Sequence, residues 1–135
     1  MMILLVEDDF LIAMTPEAEL TDAGHTVRGP ASSASRALQL AALAVPDLAL
    51  VDINLRDGHG QGIGLARELR QRWGVPSPFL SGQSSEAHAN RDAALGLISK
   101  PYRPETALKA IGLAEALWTG QPPPAALPHG LELFV

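Results

Sequence analysis

Short apolar runs alternate along this chain with longer segments of helical periodicity, and this alternation constrains the fold more than any other feature. Parallel strands must be joined by long crossovers, so repeated strand–helix units predict an α/β sheet that is doubly wound, with helices on both faces. Five such units fit the chain. The predicted strands are Met2–Val6, Thr26–Arg28, Leu48–Val51, Pro78–Leu80 and Leu95–Ser99, and the predicted helices are Phe10–Ala23, Ser33–Ala44, Gly62–Trp73, Ser85–Ala93 and Pro104–Trp118.

Two residues near the first helix have specific structural expectations. Asp9 stands at the start of that helix and is expected to cap it, because a short acidic side chain can accept the free N–H groups of a first turn. Pro16 falls inside the same helix, where proline removes a hydrogen bond, so we expect a kink or a late start there.

The composition changes after Trp118, where the segment 119–135 becomes rich in proline. We therefore predict one domain over residues 1–118, followed by an extended, polyproline-like tail over residues 119–135. The last apolar side chains of the tail are sufficient to dock on another surface. They are Leu131, Leu133, Phe134 and Val135.

Composition excludes several classes of partner and chemistry. Ten Lys and Arg against fifteen Asp and Glu give a net charge of -5, which argues against a nucleic-acid partner. The chain has no cysteine, so disulfides, thiolate metal sites and cysteine nucleophiles are excluded, and a reduced, cytoplasmic compartment is expected. Met1–Val6 runs into acidic residues without a basic leader, and prolines interrupt the long uncharged stretch Ala116–Leu131, so neither a signal peptide nor a membrane span is expected.

The predicted strands end in polar residues, and in open α/β sheets ligands bind outside these carboxyl ends. The first strand runs into Glu7-Asp8-Asp9, the third into Asp52, the fourth into Ser81-Gly82 and the fifth into Lys100-Pro101. Asp52 follows the most apolar strand, so its carboxylate lies near a desolvated sheet edge and needs a partner. These side chains are predicted to form one site.

Clustered carboxylates repel one another, and a divalent cation that prefers oxygen ligands resolves that repulsion. We predict a Mg²⁺ site formed by Asp8, Asp52 and a nearby backbone carbonyl, with Glu7 close behind. The histidines give no support to a zinc site, because they lack ligand spacing. They are His25, His59, His88 and His129.

Four segments together resemble the receiver domains of response regulators in two-component signalling. They are Val6-Glu7-Asp8-Asp9, Val51-Asp52-Ile53-Asn54-Leu55 with Asp57-Gly58 after it, Phe79-Leu80-Ser81-Gly82, and Ser99-Lys100-Pro101-Tyr102. The resemblance covers residues 2–118, and four motifs in this order make it specific. It implies a flavodoxin-like, five-stranded parallel sheet in the order 2-1-3-4-5.

The resemblance also implies a function. A sensor histidine kinase or a phosphotransfer protein would donate a phosphoryl group from a phosphohistidine to Asp52, and the domain would catalyse this phosphorylation and its reversal rather than a metabolic reaction. Ser81 and Lys100 would neutralise the phosphoryl oxygens, and Mg²⁺ would be held by Glu7, Asp8, Asp52 and the backbone carbonyl of Asn54. The output would pass to a downstream protein partner.

The chain departs from the family pattern at the position that usually carries a switching aromatic residue. That position is Leu97, so activation is expected to depend on the ordering of residues 83–94 instead of on a ring that swings. Tyr102 corresponds to a different, structural aromatic. The resemblance further implies a cis Lys100–Pro101 bond, and the segment Phe79–Gly82 resembles that of stand-alone alphaproteobacterial receivers with the motif Phe-Ala-Thr-Gly.

Two other functions remain open from the residues alone. The first is a binding module that keeps the fold but works without phosphorylation, against which the acidic residues, Ser81 and Lys100 all argue. The second is a small phosphatase that forms an aspartyl phosphate. Phosphatases of that kind place their nucleophile after the first strand, whereas Asp52 ends the third.

Overall fold

The computed structural model describes residues 1–55, 60–82, 84–100, 102–118, 120–121, 127 and 130–134. Strands and helices alternate as predicted. The strands are β1 (Met2–Val6), β2 (Thr26–Ala31), β3 (Leu48–Asp52), β4 (Phe79–Ser81), β5 (Gly96–Ser99) and β6 (Leu131–Leu133), and the helices are α1 (Phe10–Asp22), α2 (Ala34–Leu43), α3 (Gln61–Trp73), α4 (Ser84–Ala89) and α5 (Pro104–Trp118). A short 3₁₀ helix, Arg91–Ala93, follows α4.

The strands form one sheet in the order β2-β1-β3-β4-β5-β6. The first five are parallel and follow the predicted order 2-1-3-4-5. The predicted count of five strands was one too low, because β6 pairs antiparallel with β5. No sequence pattern indicates β6, since its three residues are too few for a periodic pattern. The end of the proline-rich tail thus lies in the sheet.

Helices cover both faces of the sheet, as predicted. Alternate residues of β3 show this directly, because Leu48 and Leu50 pack with α1 and α5, whereas Ala49 and Val51 pack with α2 and α3. All five residues of β3 are buried, which explains why this strand is the most continuously apolar. No helix in the described part of the chain is long and apolar enough to cross a membrane.

The start of α1 confirms the predicted cap. The carboxylate of Asp9 accepts hydrogen bonds from the backbone N–H of Leu11 at 3.0 Å and of Ile12 at 3.3 Å, so Asp9 caps α1. Helix α1 begins at Phe10 and continues through Pro16, so the expected late start is wrong, while the kink stays a prediction. The early cap explains this outcome, since it fixes the first turn ahead of the proline.

Helix α3 begins directly against the end of β3, and this contact depends on Gly62. The backbone N–H of Gly62 donates to the carbonyl of Ile53 at 2.8 Å. A Cβ atom at position 62 would lie 1.9 Å from the carbonyl oxygen of Asp52, closer than any real contact. A larger residue at position 62 must therefore push α3 away from the strand that carries Asp52.

Gly62→Ala is expected to lower the free energy of unfolding by about 1–3 kcal/mol, because the added methyl group meets rigid backbone. Gly64→Ala is the matched control, since position 64 lies on the same helix and has open space around it. Alanine there is expected to leave stability unchanged or to raise it by up to about 1 kcal/mol. Urea unfolding of both variants checks this, and equal effects would contradict the close approach at Gly62.

Candidate functional site

The carboxyl ends of four parallel strands bring the predicted site residues to one edge of the sheet. Glu7 follows β1, Asp52 ends β3, Ser81 ends β4 and Lys100 follows β5. Glu7 is 1% exposed, Asp52 6% and Ser81 4%, so three polar side chains are buried here. Burial of this kind is costly unless the groups find partners.

Lys100 is the partner of the two buried carboxylates, Glu7 and Asp52. Its ammonium donates to Oε1 of Glu7 at 2.5 Å and to Oδ2 of Asp52 at 2.7 Å. The three side chains come from three different strand ends, and the Lys100 side chain is itself only 19% exposed. One lysine thus bridges two buried carboxylates, and with all three groups ionised the cluster keeps one net negative charge.

Asp8 completes an acidic cluster at the same edge. One oxygen each of Glu7, Asp8 and Asp52 lies within 4.8 Å of the others, and Asp8 is exposed. Oxygen donors with excess negative charge suit a hard divalent cation such as Mg²⁺. Asp9, the next residue along the chain, instead caps α1, as described above.

Backbone hydrogen bonds fix the orientation of Asp52 and Lys100. The N–H of Asn54 donates to Oδ1 of Asp52 at 3.0 Å, and Oδ1 of Asn54 accepts the N–H of Gly60 at 3.0 Å. On the other side, the N–H of Lys100 donates to the carbonyl of Ser81 at 2.8 Å. Both oxygens of Asp52 therefore have a defined partner, one backbone amide and one ammonium.

Burial and the contacts within the cluster shift the pKa values of Glu7 and Lys100. Burial, and then the neighbouring Asp52, raises the pKa of Glu7 to about 8, while Lys100 opposes this shift. Burial tends to lower the pKa of Lys100, but its bonds to Asp52 and Glu7 outweigh that effect and raise it. At neutral pH the metal-free site therefore holds its charged ammonium and favours a proton on Glu7.

Tyr102 is a member of this neighbourhood that sequence reasoning placed only as a structural aromatic. Its hydroxyl oxygen is buried and has no hydrogen-bond partner in the described part of the chain. Burial, and then the negative charges of Glu7 and Asp52, raises the pKa of Tyr102. The sequence carried no signal for this, because the position of the hydroxyl depends on how the chain leaves β5.

Leu97 occupies the position at which the family pattern has a switching aromatic residue. It is fully buried and packs with Phe79 and Ala87. Three residues of the motifs that resemble receiver domains are not among the residues that the structure describes. They are Asp57, Gly58 and Pro101, and the expected cis Lys100–Pro101 bond is among the features not described.

The raised pKa of Glu7 predicts how stability depends on pH without metal. A Glu that binds its proton more tightly when folded stabilises the fold fully below its unfolded pKa of 4.5, and this stabilisation is lost as pH rises toward about 8. We expect the free energy of unfolding to fall across that window by up to roughly 1.4 kcal/mol per pH unit. Urea unfolding in EDTA from pH 5 to 9 measures it.

Glu7→Gln is the control for this prediction, because glutamine keeps the shape and stays neutral. The variant is expected to lose less stability than the wild type between pH 5 and 8. Histidines also titrate in this range, so the difference between the two curves is the quantity to compare. Parallel curves would contradict the assigned shift.

Comparison with known proteins agrees with this geometry. Residues 3–112 match the family model described as the response regulator receiver domain. The phyllosphere-induced regulator PhyR of Methylorubrum extorquens is 33% identical over 114 residues, which cover 83% of this chain and 42% of that protein. The transcriptional regulatory protein PdtaR of Mycobacterium tuberculosis is 32% identical over 117 residues, covering 83% of this chain and 55% of that protein.

A solved structure agrees as well. The receiver domain of NtrX from Brucella abortus superposes with a TM-score of 0.76 at 27% identity, covering 87% of this chain and 98% of that one. The chain spans about half the length of the curated relatives it matches. Because the family model covers most of its length and the fold is of the same kind, the chain belongs to the response regulator receiver domain family.

Proposed function

We propose that this receiver domain accepts a phosphoryl group on Asp52 and passes the signal to another protein through contacts that depend on that group. The observation that carries the proposal is the placement of Asp52. Its carboxylate ends the central buried strand, is held by the N–H of Asn54 and the ammonium of Lys100, and lies within an acidic cluster.

In the proposed reaction a carboxylate oxygen of Asp52 attacks the phosphorus of a phosphohistidine on a donor protein. The P–N bond breaks as the new P–O bond forms, and the electron pair of the broken bond stays on the imidazole. The product is an acyl phosphate, which water later hydrolyses to regenerate the carboxylate and release phosphate. The two hydrogen bonds to Asp52 support this role, because they hold the carboxylate in one orientation.

Lys100 and Ser81 are assigned to the charge of the transferring group. The phosphoryl group carries negative charge on its equatorial oxygens, and fixed donors around it stabilise that charge. Lys100 already lies 2.7 Å from Asp52, so its ammonium needs only a small movement to reach an oxygen of the bound group. Ser81 ends the neighbouring strand, and its carbonyl holds the backbone of Lys100.

Mg²⁺ is the proposed cofactor, held by Glu7, Asp8, Asp52 and the backbone carbonyl of Asn54. When bound, it supplies positive charge that neutralises the phosphoryl oxygens during transfer. The excess negative charge of the three carboxylates supports this assignment. The proton favoured on Glu7 occupies the same cluster, so deprotonation of Glu7 favours the cation.

A sensor histidine kinase or a phosphotransfer protein is the proposed donor, and a downstream protein is the proposed recipient of the signal. Neither a nucleic acid nor a membrane is proposed as a partner, in keeping with the net charge of -5. A cytoplasmic location is proposed on the absence of cysteine.

Incubation with acetyl phosphate and Mg²⁺ is expected to add the mass of one phosphoryl group, measured on the intact protein. Asp52→Asn is expected to abolish this addition, because an amide cannot act as the nucleophile. Asp22→Asn, an exposed position at the end of α1, is the matched control and should label like the wild type. Labelling that survives Asp52→Asn would refute the site, and an unlabelled wild type would favour a module that works without phosphorylation.

Asp8→Asn is expected to weaken Mg²⁺ binding by roughly tenfold or more, because it removes a direct charged ligand. Asp9→Asn makes the same change of charge one residue along and keeps a good helix cap, so it should leave the affinity nearly unchanged. Calorimetric titration of both variants with Mg²⁺ makes the comparison. Equal losses would mean that only the overall charge matters and would overturn Asp8 as a ligand.

A further inference from the structure

The C-terminal strand β6 lies along the whole free edge of β5. The N–H of Ser99 donates to the carbonyl of Gly130 at 2.8 Å, and the N–H of Phe134 donates to the carbonyl of Leu95 at 2.9 Å. An edge strand otherwise leaves such groups unpaired. Residues 130–134 therefore provide hydrogen-bond partners for the backbone groups at the edge of β5, next to Lys100.

Gly96 makes this close approach possible. A Cβ atom at position 96 would lie 2.2 Å from the carbonyl oxygen of Glu132, and the next nearest atoms are the carbonyl carbon of Glu132 and Cα of Leu133, each at 3.3 Å. All three atoms belong to β6. Strand β6 can therefore lie this close to β5 because residue 96 has no side chain.

Glu132 of β6 and Phe134, the residue that follows β6, contact helix α4 and the turn after it. Nε2 of His88 lies 2.6 Å from Oε2 of Glu132, and the ring of His88 meets the ring of Phe134 edge-on at 5.8 Å. The guanidinium of Arg91, just after α4, lies over the Phe134 ring at 5.5 Å. Each contact is exposed and weak alone, but together they connect α4 to the edge of the sheet.

Strand β5 and helix α4, the two elements that contact the β6 segment, both lie next to site residues in the chain. Ser99 immediately precedes Lys100, and α4 begins three residues after Ser81. Lys100 and Ser81 are themselves joined by a backbone hydrogen bond. A backbone movement at either residue would therefore act on the pairing of β6 or on the position of α4.

We infer that β6 is a conformational strap that favours the arrangement in which Lys100 bridges Glu7 and Asp52, so that a phosphoryl group on Asp52 weakens the docking of β6 and releases α4, the opposite of the ordering of residues 83–94 that the sequence predicts. The inference rests on the proposed function. The buried residue at the usual switch position is Leu97, which has no aromatic ring to swing, and β6 supplies another link between the site and α4. Because such coupling is reciprocal, loss of β6 docking must strengthen phosphoryl binding.

Gly96→Ala in the full chain tests the strap, because the three atoms nearest to the added methyl group all belong to β6. Amide exchange is expected to rise in residues 131–134 and 84–93 and to stay unchanged in β1 and β3. The affinity for beryllofluoride, a phosphoryl mimic, with Mg²⁺ is expected to rise by roughly fivefold or more. Gly112→Ala on the open face of α5 is the matched control and should change neither quantity.

Glu132→Gln provides a second variant that keeps the backbone pairing of β6 and removes the carboxylate that contacts Nε2 of His88. Exchange is expected to rise in residues 84–93 but not in residues 131–134, and the affinity for beryllofluoride should rise by less than with Gly96→Ala. Glu115→Gln, an exposed position on α5, is its control.

Failure of the proposed function and failure of the strap give different results. If the wild type binds no beryllofluoride in the presence of Mg²⁺, the proposed function is wrong and the strap falls with it. If the wild type binds it and Gly96→Ala binds it equally or more weakly while its β6 residues exchange faster, the strap is wrong and the function stands. If both Gly96→Ala and Glu132→Gln leave α4 exchange unchanged, β6 does not hold α4.

Discussion

Two buried carboxylates share one ammonium at the carboxyl edge of the sheet, and the rest of the site depends on that shortage of positive charge. Glu7 and Asp52 lose most of their hydration, and Lys100 compensates both only in part. Removing ions from water is costly, so the remaining charge must be balanced by a proton or a cation. The same shortage that favours a proton on Glu7 makes this edge of the sheet suitable for the proposed Mg²⁺ and phosphoryl group.

The sheet order is what makes this arrangement possible. Strand β1 lies beside β3, and β3 beside β4, so the residues that follow these strands meet although they are far apart in the chain. Lys100 reaches across from the end of β5, guided by its backbone bond to Ser81. Gly62 keeps the start of α3 against β3, which fixes the backbone on which Asp52 sits.

Much of the fold and of the candidate site was predictable from the sequence, because the carboxyl ends of strands in a parallel sheet lie at the same edge. The order of the parallel strands, the meeting of Glu7, Asp8, Asp52 and Lys100, and the cap at Asp9 follow from local patterns and from the family resemblance. The rest depends on long-range packing, which a local pattern does not carry. Three residues of β6 give no periodic signal, and the roles of Gly96 and of the Tyr102 hydroxyl appear only when distant segments are brought together.

The acidic run after β1 contains three neighbours in three different environments. Glu7 is buried beside Lys100, Asp8 faces solvent within the acidic cluster, and Asp9 binds the first turn of α1. The chain turns from strand to helix across these positions, so each side chain points in its own direction. Exchanging Glu7 with either aspartate would leave the composition and the net charge as they are, while it would put a shorter side chain beside Lys100 and a longer one at an exposed position. It is the order of these acids, more than their number, that a descendant of this chain has to preserve.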